Sequence, residues 1–257
     1  MLLAGRTAVI TGGGTGIGQA IALAFAREGC RVAIGGRRLD KLQEAVAAWE
    51  KEKPPAASRA GSQAAAPTVV AHELDVADRR SVDAFFAWAR QQVGPVDILV
   101  NNAGVNLVRR SMRELDPADW DRLMAVNATG SYNCLRAVLP DMRERRDGLL
   151  IHVSSISGKR AGLLGGVAYN ASKFAQTALA NTVALEEGKN YIRVSTIFPG
   201  EVETPILEHR PTPVSAERRA VILQPEDVAA AALFIAGLPK RAHIPELIIK
   251  PTVHDYA

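Results

Sequence analysis

Cysteine is nearly absent: Cys30 and Cys134 are the only two in 257 residues. Both stand in apolar helical or strand contexts, so two reduced, buried thiols are expected rather than a disulfide framework. The histidines His72, His152, His209, His243 and His254 are scattered, and no Cys/His cluster has zinc spacing, so no metal is expected. Long hydrophobic runs are missing as well. Apolar residues make up 47% of the chain, enough to fill a core. The longest runs nevertheless break well short of the ~18 residues of a membrane span. The opening MLLAGRTAVITGG lacks the basic start, apolar middle and small-residue cleavage site of a signal peptide. No membrane association is expected, and the expected compartment is the cytoplasm. A large excess of one charge is also lacking. The net charge of +4 suits an anionic small molecule but does not argue for nucleic acid. There is no internal repeat.

What the chain does have is alternation. Arg6 to Thr11 (RTAVIT) reads as a short apolar strand, followed by the glycine turn Gly12 to Gly18 (GGGTGIG) and the helical pattern QAIALAFAREG. Strand, glycine turn and helix form the layout in which helix N-terminal amides hold a pyrophosphate. Further strands are expected at Arg31–Gly36, Thr68–Leu74, Val96–Val100, Leu149–Ser154, Ile192–Phe198 and Glu246–Lys250. Helices are expected at Leu39–Lys53 and Ser81–Val93, from Pro117 through Asn127, from Gly166, and at Pro225–Ala236. The fold class is therefore α/β: one Rossmann-like, doubly wound parallel sheet of about seven strands with helices on both faces, in a single domain over 1–257. Ligands of such folds bind beyond the carboxyl ends of the strands. Residues 54–67, rich in Ala, Ser and Pro, read as a flexible insertion. The tip of the second strand reads Gly36, Arg37, Arg38. A carboxylate there would hold a ribose 2′-OH, whereas two guanidiniums suit a 2′-phosphate, so NADP(H) is expected in preference to NAD(H).

Tyr169 and Lys173 are i and i+4 at a helix start, on one face, with Cβ atoms roughly 5–6 Å apart. A phenol titrates near ~10. An ammonium about 4 Å away is worth roughly 4 kcal/mol at an effective dielectric of ~20. That lowers the phenol by up to ~3 pH units before desolvation opposes it. The pair is thus expected to move protons near neutrality. Asn101 and Asn102, at a strand's carboxyl end, can tie neighbouring backbones together or approach a ligand.

Taken together, the motifs resemble the short-chain dehydrogenase/reductase family over about Ala4 to Pro251. They are TGGGTGIG (Thr11–Gly18), DV (Asp75, Val76), NNAG (Asn101–Gly104), Asn127, SSISG (Ser154–Gly158), YNASK (Tyr169–Lys173) and PGEVETP (Pro199–Pro205). The resemblance implies an oxidoreductase that transfers a hydride between NADP(H) and a carbonyl or secondary alcohol. It implies Tyr169 as general acid or base, with Lys173 lowering its pKa and binding the nicotinamide ribose. It gives Ser155 the substrate oxygen, with Ser154 and Ser157 as rivals, and gives Asn127 a water in a proton relay. Gly12, Thr15, Gly16, Ile17 and Gly18 would meet the pyrophosphate. Arg37 and Arg38 would take the 2′-phosphate, and Asp75 and Val76 the adenine. Asn102, Ala103 and Gly104 would line the adenosine ribose. Pro199, Gly200, Val202 and Thr204 would lie at the nicotinamide.

The tail HIPELIIKPTVHDYA is more similar to NADP-dependent 3-hydroxy-acid and amino-acid-alcohol dehydrogenases than to 3-oxoacyl-carrier reductases. A small 3-hydroxy or 3-oxo acid is therefore one expected substrate. A 3-oxoacyl thioester is the alternative, given a basic patch at Arg109, Arg110, Lys159 and Arg160. A non-catalytic NADPH-binding sensor or scaffold is the alternative from another class. Arg109, Arg160 and Arg210 are candidate receivers of a substrate carboxylate, and 201–222 is a candidate substrate lid. The resemblance also implies a homo-oligomer, tetramer or dimer.

Overall fold

The computed structural model describes residues 1–53 and 66–253. The expected insertion at 54–67 lies, over 54–65, outside the described residues. Seven strands form one all-parallel sheet in the order β3-β2-β1-β4-β5-β6-β7. They are β1 (Thr7–Thr11), β2 (Arg31–Gly36), β3 (Thr68–Glu73), β4 (Ile98–Asn101), β5 (Gly148–Val153), β6 (Ile192–Pro199) and β7 (Glu246–Ile249). The connecting helices are α1 (Gly16–Arg27), α2 (Leu39–Glu52), α3 (Arg79–Val93), α4 (Pro117–Leu123), α5 (Gly130–Arg145), α6 (Val167–Glu187), α7 (Ala216–Arg219) and α8 (Pro225–Gly237).

Strand residues alternate between two apolar layers, because successive side chains point to opposite faces. Ala8, Ile10, Ile98, Val100, Leu149 and Ile151 pack with α1, α2 and α8. Val9, Leu99, Leu150 and Val194 pack with α3, α5 and α6. Both faces of the inner strands are thus buried, which is why they read as continuous apolar runs. The strand order reverses between β1 and β4, and the loops at their carboxyl ends diverge to leave a crevice.

The helix expected from Pro117 is interrupted. Met124–Thr129 is a π turn between α4 and α5, and Asn127 lies within it, fully buried. The extra residue of a π turn turns Asn127 toward the β4 loop. Its amide receives the Val105 N–H at 2.9 Å and donates to Val105 O at 3.0 Å and to Ser172 Oγ at 2.9 Å.

Candidate active site

The crevice is a cavity of about 830 Å³ above the carboxyl ends of the strands. Gly12, Thr15, Gly16, Ile17, Arg37, Arg38, Asp75, Val76, Asn102, Ala103 and Gly104 line the end over β1 to β4. Ser155, Tyr169, Lys173, Pro199, Gly200, Val202 and Thr204 line the end over β5 and β6, and the two ends meet where Thr204 faces Gly16 and Lys173 faces Gly104. Two predicted residues are not on its wall. Gly18 lies behind the glycine turn, where a Cβ would overlap the Gly12 carbonyl oxygen and the Asn102 amide. It serves the close packing of helix on turn. Asn127 spends its side chain on Val105 and Ser172, so it braces the β4 loop.

At the first end the backbone turns at Gly12, whose φ of 66° lies in the left-handed region that glycine enters freely. Thr15 caps α1 without a side-chain bond to the helix, and no acid stands in its first turn. The α1 amides therefore face the cavity with no competing anion, and a phosphate suits them. Asn102 holds this turn against β4: its amide donates to Thr11 O at 2.9 Å and to Gly12 O at 3.2 Å. Of the two roles open to the asparagines, Asn102 thus fills the tying one. The Arg38 guanidinium reaches Thr15 Oγ1 at 3.4 Å, so the β2 tip and the glycine turn share one cationic corner. Backbone donors, a glycine cradle and two guanidiniums together fit a dinucleotide phosphate.

At the second end Ser155 starts the short 3₁₀ turn Ile156–Gly158, and its Oγ accepts the Ser157 N–H at 3.1 Å. That fixes the oxygen and leaves its O–H to donate; it hydrogen-bonds the Tyr169 phenol. Ser154 is turned inward, with Oγ 3.3 Å from Thr177 Oγ1, so of the two serines Ser155 is the one on the phenol. Lys173 is 3% exposed and donates to Val153 O and to Gln176 Oε1, each at 3.0 Å. Its Nζ stands 5.8 Å from the Tyr169 ring centre.

The electrostatics overturn one expectation. Burial pushes the Tyr169 phenol up; the Ser155 hydrogen bond and then the Arg110 charge oppose this without reversing it. Burial also brings Lys173 down to about 7. A full ammonium about 4 Å from the phenol would lower it only with both groups still solvated. In the folded chain both groups lose solvent, and each moves toward its neutral form.

Gln176, Ser131 and His152 have no role in the sequence reading. Gln176 donates from Nε2 to Ser131 Oγ at 2.8 Å, and Ser131 donates to the Asn127 carbonyl at 3.1 Å. A directed chain of hydrogen bonds thus runs from Lys173 to the π turn. Its only sequence signal was a glutamine at i+3 from Lys173 and i+7 from Tyr169, on the same helix face. His152, fully buried on β5, feels the Lys173 charge; burial first and that charge second hold its imidazole down at about 3. Arg110 lies low in the cavity wall at 8% exposure and cannot belong to a patch at the mouth. Lys159 pairs with Glu246, which further reduces the expected patch. Arg210 is held by Glu201 at 2.7 Å and is not an open carboxylate receiver.

Comparison with known proteins agrees with this geometry. A family model described as short chain dehydrogenase matches residues 6–214. The uncharacterized oxidoreductase YxbG of Bacillus subtilis (strain 168) is 38% identical over 248 residues, covering 91% of this chain and 85% of that protein. Among solved structures, a closed form of serine dehydrogenase complexed with NADP+ superposes with a TM-score of 0.84 at 28% identity, covering 98% of this chain and 97% of that one. A 3-ketoacyl-(acyl-carrier-protein) reductase from Brucella melitensis complexed with NADH gives 0.82 at 27% identity, covering 96% of this chain and 98% of that one.

Proposed function

The chain belongs to the short-chain dehydrogenase family, and from that premise we propose that it is an NADP(H)-dependent oxidoreductase whose substrate is a small 3-oxo or 3-hydroxy acid. Its action on a carbonyl or alcohol through a nicotinamide dinucleotide follows from the family. One observation carries the finer reading: a single cavity has the Ser155 hydroxyl and Tyr169 phenol at one end, and Arg37 and Arg38 without a β2-tip carboxylate at the other.

When bound, the dinucleotide supplies or accepts the hydride. The chain's own residues position and polarise. Ser155 donates to the substrate oxygen as charge develops on it. Tyr169, kept protonated at neutral pH by burial, delivers its proton to that oxygen in the reductive direction. Oxidation requires the phenolate, so its rate rises with pH while the reductive rate does not. Lys173 backs the phenol and reaches the ribose side. Arg37 and Arg38 take the 2′-phosphate. The segment 201–222 serves as lid: Arg210 and Arg218 tie to Glu201, and Arg219 ties to Glu203, across it. A homo-oligomer is supported by Tyr132, Phe174 and Ile248, which are exposed on α5, α6 and β7. A cytoplasmic location is supported by the two free thiols.

The test is oxidation of NADPH, and separately of NADH, against β-keto acids, amino-acid-derived aldehydes, 3-oxoacyl thioesters, quinones and diketones. Turnover with NADPH on the acids is expected. Turnover confined to NADH overturns the cofactor assignment, and turnover confined to thioesters overturns the substrate class.

A further inference from the structure

Arg110 is a buried cation without an anion. Its backbone is clamped where the β4 loop meets α6: Arg110 O accepts the Val167 N–H at 3.1 Å, and a side chain at Gly166 would collide with it. Its guanidinium donates to Leu164 O at 2.7 Å and to His209 O, while Nε is buried with no partner. No carboxylate pairs with it among the described residues. The charges that act on it are Arg210, which opposes it, and the Tyr169 phenol. Glu201, on the segment that also carries His209, is taken by Arg210 and Arg218.

A desolvated guanidinium that meets only neutral carbonyls is costly, and the cost falls when an anion completes it. Arg110 lines the same cavity as Ser155 and Tyr169. It and the phenol are close enough to influence one another. The planar fork also fits a carboxylate better than any neutral group.

We infer that Arg110 receives the carboxylate of the substrate, so that the compound turned over is an oxo or hydroxy acid held between Arg110 and the Ser155–Tyr169 pair. This rests on the oxidoreductase reading above and names the residue that selects within it. Leu164 and His209 then present the guanidinium through their carbonyls. Sequence reading could not single out Arg110, because it is adjacent to Arg109 and only folding buries one of the two.

The experiment is calorimetric. The protein is first titrated with NADP+, then with propanoate and butanoate, acids without a hydroxyl to oxidise, each against its primary amide. Wild type is expected to bind the acids about 10- to 100-fold more tightly than the amides, the range of a charge-assisted hydrogen bond. Arg110→Gln should bring acid and amide together while leaving NADP+ affinity unchanged, and Arg110→Lys should keep part of the preference. A purely structural Arg110 would weaken both ligands alike and leave the ratio intact, which overturns the inference. So does a wild-type ratio near one, a result that needs no variant to fold. Failure to bind NADP+ at the first step overturns the dinucleotide reading itself, and with it the inference.

Discussion

Lys173 offers a prediction that needs no substrate. Its ammonium is surrounded by neutral acceptors, Val153 O and Gln176 Oε1, and burial brings its pKa from 10.5 to about 7. Below about pH 7 the folded and unfolded chains both hold the proton, and the whole cost of burying the charge is present. Between there and 10.5 the unfolded chain keeps the proton and the folded chain has lost it. The unfolded state then binds more protons, so this residue makes stability rise with pH across that window. At about 1.4 kcal/mol per pH unit, the full gap amounts to roughly 5 kcal/mol. Lys173→Met removes the titration. It also strips a donor from two buried acceptors, a cost of about 1–3 kcal/mol each that does not depend on pH. The slope therefore decides, not the offset. Urea unfolding of wild type and Lys173→Met, followed from about pH 6 to pH 10, should give a stability difference that changes by up to about 1.4 kcal/mol per pH unit in favour of wild type as pH rises. A flat difference would refute the reasoning, as would a rise confined to the region of an ordinary lysine.

Other residues allow shorter tests. Gln176→Leu removes one acceptor from Lys173 and should move the onset of that slope to lower pH, whereas Gln176→Glu should move it to higher pH; shifts of the same sign would sink the proposed coupling. Arg37→Asp should swing the ratio of NADPH to NADH affinity by about 10- to 100-fold toward NADH; an unchanged ratio means another group holds the 2′-phosphate. Gly18→Ala places a methyl against the Gly12 carbonyl and should cost about 1–3 kcal/mol in stability, with weaker NADP+ binding. Wild-type behaviour in both unfolding and calorimetry would mean the turn yields freely.

The sheet was legible because its signals are local. Strands such as Arg31–Gly36 are apolar runs closed by turn residues, and the structure returns that strand with the same bounds. The glycine turn and the Tyr169–Lys173 spacing likewise need only one helix or one loop to be recognised. What escaped depends on contacts between distant segments. The helix from Pro117 reads as one periodic stretch, but Asn127 gains more by bonding Val105 and Ser172 than by keeping α-helical register. Gly18 belongs to a motif whose glycines look alike in sequence, and only packing separates those that meet the cavity from the one that meets Gly12. The direction of the Tyr169 shift depends on desolvation, a property of the folded surroundings rather than of spacing. Arg210 looked open because Glu201, nine residues earlier, gives no sign of pairing until the segment between them folds back on itself.

The central claim is that Tyr169 moves the proton. The most direct measurement sets Tyr169→Phe beside wild type, with NADPH binding by calorimetry and NADPH oxidation on the best acid of the carbonyl panel. On the proposed mechanism the phenol carries the proton, while the dinucleotide phosphates rest on the glycine turn and the β2 tip. The expected result is therefore intact NADPH affinity with turnover lowered by about 10²–10⁴-fold, the usual span for losing a general acid. Turnover near wild type with NADPH still bound would contradict the account.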